Sequence, residues 1–205
     1  MKRFWIIAVL FSQLAFAQTA KDFFDKAVEK AKAGDHKGAV ELFTKAIEKN
    51  PKLDFLYERR GQSKDKAGDY KGAIEDYNQA LKISPKLYTT FYNRAVAKEH
   101  LNDFNGAIED YGKAIELNNK FIEAYFNRGL ARNRTGNFKD AIGDFSEVLK
   151  NDTANYYAIR NRAFSYNSSG DYPNAILDCN VTLKLNPRDD FAYIIRGLAK
   201  SSMGE

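Results

Sequence analysis

The chain is poor in the residues that build catalytic and metal sites: of 205 residues, one is cysteine, two are histidine, one is tryptophan and four are proline. Cys179, being alone, excludes an intramolecular disulfide. His36 and His100 stand far apart, and neither has a second ligand at metal-like spacing, so no metal site is expected. The thirteen glycines form no phosphate-cradling loop. Carboxylates are abundant but recur with a fixed period, as a solvated face or a set of ion pairs does. The sequence therefore implies no cofactor and no enzymatic activity. Beyond residue 17, no apolar run approaches the roughly 18–20 residues a membrane-spanning helix needs. The basic residues are spread evenly, which argues against a nucleic-acid partner, since that needs a concentrated basic face.

The first seventeen residues have a different character. Lys2 and Arg3 are followed by an unbroken apolar stretch over 4–11, and Ala15 and Ala17 put small residues where a signal peptidase reads. This pattern predicts a secretory signal peptide over 1–17, cleaved before Gln18, and export to a bacterial periplasm or medium. The competing reading is an uncleaved anchor, which the shortness of the apolar stretch disfavours. No cysteine stands at the cleavage site, so a lipoprotein is not expected. Without Lys2 and Arg3, 30 basic residues remain against 27 acidic, a net charge of only +3.

What the remaining chain has in quantity is periodicity. Gly34, Gly68, Asn102, Gly136 and Gly170 each open a similar six-residue segment, and each lies 34 residues after the last without insertion or deletion. The units run 20–53, 54–87, 88–121, 122–155 and 156–189, with a partial sixth over 190–205. Counted from the start of each unit, position 4 carries Phe23, Tyr57, Phe91, Tyr125, Ile159 and Tyr193. Position 8 is always Ala or Gly and position 20 is always Ala, so two helices can approach closely there. Position 24 carries Phe43, Tyr77, Tyr111, Phe145 and Cys179, which fill the space around that contact. Apolar residues recur at three- and four-residue spacing within each half, predicting two amphipathic helices per unit. Gly or Asn at position 15, then Asp or Asn, marks the turn and caps the second helix. Pro51, Pro85 and Pro187 end that helix, whereas Pro173 falls in a first turn, where proline is tolerated.

These columns resemble the tetratricopeptide repeat, over essentially all of the chain after residue 17. Departures are local: position 7 is basic instead of the family's usual Leu, His36 replaces a turn aromatic, and Asn119 and Thr153 replace the proline. The resemblance implies an all-α fold, a right-handed superhelical solenoid of antiparallel helix pairs, A then B, with the A helices lining a concave groove. A single hairpin cannot bury its apolar faces, so stability would come from stacking. The resemblance also implies a non-enzymatic scaffold that binds a protein or peptide in the groove.

Two sets of residues carry the functional expectations. Position 7 supplies Arg60, Arg94, Arg128 and Arg162, and position 23 of the same repeats supplies Asp76, Asp110, Asp144 and Asp178; repeat 1 lacks both. Because one column neutralises the other, they read as structural ion pairs, within a repeat or between repeats; the alternative is an arginine row gripping an acidic ligand. Position 6, groove-facing in the family, carries Asn93, Asn127 and Asn161. A side-chain amide both donates and accepts, so these could hold the main chain of an extended peptide, as a family ladder does, or be solvated or bonded locally. Tyr92, Phe126, Tyr157 and Phe191 occupy neighbouring groove-facing columns. The family's carboxylate clamp wants basic residues where this chain has Glu58 and Glu123, or Tyr92 and Tyr157, and is not expected here. At the C-terminal end, Tyr193, Ile194, Ile195 and Leu198 leave an apolar helix without a B partner. That predicts truncation within repeat six, self-association through this helix, or membership of a larger envelope sensor or assembly complex.

Overall fold

A computed structural model describes residues 20–204. The expected signal peptide over 1–17 lies outside the described residues. Among the described residues the chain is helical throughout, in eleven helices joined by short turns. They divide into two compact units, one ending at Leu101 and the other beginning at Asn102, a boundary inside the third sequence repeat.

The first unit holds α1 (residues 20–32), α2 (His36–Lys49), α3 (Asp54–Lys66), α4 (Tyr70–Ile83) and α5 (Tyr88–His100). The second holds α6 (Phe104–Leu117), α7 (Ile122–Arg134), α8 (Phe138–Asn151), α9 (Tyr156–Ser168), α10 (Tyr172–Leu185) and α11 (Asp190–Ser202). In the first unit each helix from α2 to α4 packs on the next, and α3 also touches α5. In the second, packing runs the same way from α6 to α11, with α7 against α9 and α9 against α11. Odd-numbered helices are the A elements of the repeat and even-numbered ones the B elements.

Local chemistry fixes these elements. Gly34, Gly68, Gly136 and Gly170 have φ between +79° and +85°, and Asn102 takes the same left-handed region at +62°. That conformation ends each A helix, and a residue with a β-carbon adopts it only at a cost. One residue later, Asp35, Asp69, Asp103 and Asp171 accept the backbone N–H three residues on, at 2.9–3.4 Å, satisfying a free donor at the start of the B helix. Pro173 lies in the first turn of α10, as expected.

The core forms where the small columns meet the aromatic ones. Phe43 and Tyr77 are fully buried in the first unit, and Tyr111, Phe145 and Cys179 in the second. A β-carbon added at Gly61 would stand 2.8 Å from the Tyr77 ring, and one at Gly129 would stand 2.9 Å from Phe145. Position 8 is therefore small because an aromatic face occupies the space a side chain would fill. Cys179 takes the place of that aromatic, buried, with its thiol pKa pushed up to about 11 by burial. A thiol so placed is an apolar core residue and a poor nucleophile.

Candidate functional site: the A-helix cleft and the arginine columns

The arginine and aspartate columns meet within repeats. Arg60 on α3 forms two bonds to Asp76 on α4, at 2.9 and 2.6 Å. Arg162 on α9 does the same to Asp178 on α10, at 2.8 and 2.9 Å. Arg128 on α7 reaches Asp144 on α8 at 2.7 Å. The carboxylates are buried, and two gain a second cation: Lys64 at 2.9 Å from Asp76 and Arg132 at 2.6 Å from Asp144. Two-point Arg–carboxylate geometry fixes direction as well as distance, so each pair sets the angle of helix A on helix B.

Arginines at position 7, Arg196 of the partial sixth repeat among them, also reach back to the preceding repeat. Arg60 donates to Thr44, Arg94 to Asn78, Arg162 to Ser146 and Arg196 to Asn180, at 2.6–3.1 Å, each sixteen residues earlier. These acceptors share position 25, which sequence reading passed over because its residue types vary. The available signal was the symmetric spacing, sixteen residues on either side of each arginine. Repeat 3 has Gly112 at this position, which offers no side-chain acceptor, and the Arg128 guanidinium lies 3.6 Å from where its β-carbon would stand, an ordinary contact distance. Asp110 is buried on α6.

The first unit carries an open cleft of about 580 Å³ on its A-helix side. Val28 and Ala31 of α1, Val96 of α5, and the rings of Phe43, Tyr77 and Tyr92 supply its apolar surface. Gln62 and Asn93 add amides that donate and accept. Its charged lining is Lys32, Arg59 and Lys66 against the single carboxylate of Asp65. Asp65 Oδ1 is buried without a hydrogen-bond partner, and burial holds its carboxyl above the usual carboxylate range despite the nearby charges of His100 and Lys66. Two sequence-derived residues, Tyr92 and Asn93, thus meet in one cleft. The cations were not read out beforehand, although Arg59 occupies the same column as Asn93.

The other expected groove residues lie in the second unit. Phe126 packs edge-on against Phe145 at 5.8 Å and so contributes to the core as well as to the A-helix face. Asn127 is half-buried on α7. Asn161 donates to the carbonyl of Tyr157, one turn earlier on its own helix, at 2.8 Å, the local bonding weighed above. Tyr157 is exposed and packs edge-on against Tyr156. Phe191 lies beneath the Arg160 guanidinium, 4.1 Å from its ring centre, and beside Phe164. Arg160 also donates to Asp189 at 2.9 Å, and the Tyr156 hydroxyl donates to the same carboxylate. Burial alone would raise the Asp189 pKa, but Tyr156, the Ala192 N–H and the Arg160 charge together bring it below the ordinary value. Among the described residues no cluster of His, Cys, Asp and Glu could hold a metal ion, and no helix is long and apolar enough to cross a membrane.

A TPR repeat family model matches residues 66–102 and 100–136. No curated protein matches the chain. Solved structures similar to it include MamA, at 20% identity over 82% of this chain and 91% of that one, with a TM-score of 0.78. A tetratricopeptide repeat protein from Parabacteroides merdae ATCC 43184 is 25% identical over 91% of this chain and 74% of that one, at 0.79. YrrB, described as a TPR protein with an unusual peptide-binding site, is 19% identical over 89% and 98%, at 0.78. The fold class is thus all-α, the helix-pair solenoid of these proteins. The family model and the structural likeness agree on a tetratricopeptide-repeat fold, with the family match itself falling on residues 66–136.

Proposed function

We propose that the protein is an exported, non-enzymatic scaffold that holds an extended, acidic peptide segment of another protein in the A-helix cleft of its first unit. The observation that carries this reading is the lining of that cleft: an apolar floor, two amides, and three cations facing one carboxylate whose ionisation burial already disfavours. Apolar side chains of a peptide would bury against Val28, Val96 and Tyr92. Its main chain would pair with Gln62 and Asn93, and its carboxylates would meet Lys32, Arg59 and Lys66. The described peptide-binding site of YrrB, a protein of this fold, supports peptide binding as the type of interaction. Export rests on the leader-like residues 1–17 of the sequence.

A phage-displayed library of random ten-residue peptides, selected on the full chain, tests this reading. The expected winners are acidic with at least one apolar residue, and Arg59→Glu or Tyr92→Ala should weaken them at least tenfold. Selection of basic peptides, or equal affinity for wild type and both variants, would refute it.

A further inference from the structure

We propose that the outward face of α10 is a self-association surface, on which two copies of this chain pair α10 against α10 in antiparallel fashion about Val181. This goes beyond the cleft and does not depend on it. Leu177, Val181 and Leu185 form a ridge along α10 at four-residue spacing, and they are 61%, 41% and 48% exposed. Leu185 shares its column with Ile83 and Leu117, which are also exposed. The other two positions break the pattern of the repeat. Where α10 has Leu177 and Val181, α4 has Glu75 and Gln79, and α6 has Glu109 and Lys113, all exposed.

That comparison decides what the ridge is for. In α6 these positions stay in solvent although a complete repeat follows, so a further repeat stacked after α11 would leave Leu177 and Val181 equally bare. The ridge is not a stacking surface. It is self-complementary: Leu177 and Leu185 lie the same distance on either side of Val181. An antiparallel second copy therefore sets Leu177 on the other chain's ridge end and Val181 on its own twin, as a two-fold interface requires. Charge selects that direction. Lys184 and Arg188 mark the C-terminal end of α10, and Asp171 marks its N-terminal end. Antiparallel pairing brings the basic end to the acidic one and opposes the helix dipoles, whereas parallel pairing stacks like charges. Three side chains cover far less than the roughly 800 Å² per copy of a standard stable interface, so the dimer is weak and concentration-dependent.

Sedimentation equilibrium of the full chain over a wide concentration range tests the pairing. The expected result is a reversible dimer that Val181→Glu weakens at least tenfold, with an unchanged melting curve, and that Ile194→Glu on α11 leaves intact. Cysteine cross-linking tests the geometry without relying on loss of binding; wild type, whose Cys179 is buried, serves as the blank. Val181→Cys should cross-link to itself, Leu177→Cys should prefer Leu185→Cys over its own kind, and Glu109→Cys on α6 should not cross-link. A chain that stays monomeric throughout would overturn the proposal. So would self-association that survives Val181→Glu but not Ile194→Glu, or preferential self-cross-linking of Leu177→Cys.

Discussion

Gly129 and Gly143 lie on two packed helices of one hairpin, and they answer opposite constraints. A β-carbon at Gly129 meets the Phe145 ring at 2.9 Å, while one at Gly143 meets nothing within 4 Å. Gly129→Ala should therefore destabilise by about 1–3 kcal/mol, the usual cost of forcing atoms into a packed core. Gly143→Ala, in the interior of α8, should stabilise by about 0.5–1 kcal/mol, because only the helix-propensity gain remains. Thermal melts of the two variants check both signs. Asp189 offers a pH test. Its folded pKa is depressed, so its contribution is present above the unfolded value and is lost as pH falls through the folded one. The melting difference between wild type and Asp189→Asn should be constant above about pH 5 and shrink steadily as the pH falls below the ordinary carboxylate pKa of about 3.9. A difference that persisted at low pH would show that Asp189 acts by shape rather than charge.

At the scale of the helix, each hairpin is set by a cap and a clamp. Asp69→Ala removes the bond to the Gly72 N–H and should cost about 1 kcal/mol, read as a lowered melting temperature. Asp144→Asn is more severe, since Arg128 and Arg132 are both left facing a neutral group. Removing one side of so buried a pair costs roughly 3–5 kcal/mol. It should lower stability without changing peptide affinity, and a stable variant that bound poorly would assign the column to ligand contact. Helix positions, turns and aromatic packing were legible in the sequence because each depends on residues a few places apart, repeated in phase. The direction of the Arg60 and Arg162 clamps, forward to Asp and back to position 25, was half legible. The aspartates are uniform, but Thr44, Asn78, Ser146 and Asn180 share only the ability to accept a hydrogen bond.

For the molecule as a whole, the fold was legible in the sequence, and so were two of the residues that line the candidate cleft. Tyr92 and Asn93 were expected on a groove-facing surface and line the cleft of the first unit. Its basic character was not anticipated, because Lys32 and Lys66 share position 13, outside the groove-facing columns, and Arg59 lies in the column of Asn93. Asn161 shows why a repeated residue type does not fix a repeated role: its amide hydrogen goes to Tyr157 on its own helix, an option open to any exposed helical Asn. Hydrogen exchange of the full chain with and without a selected acidic peptide tests the central claim most directly. The account predicts slowed exchange in α1, α3 and α5, around Val28, Arg59 and Asn93. Protection confined to the second unit, or no protection at saturating peptide, would contradict it.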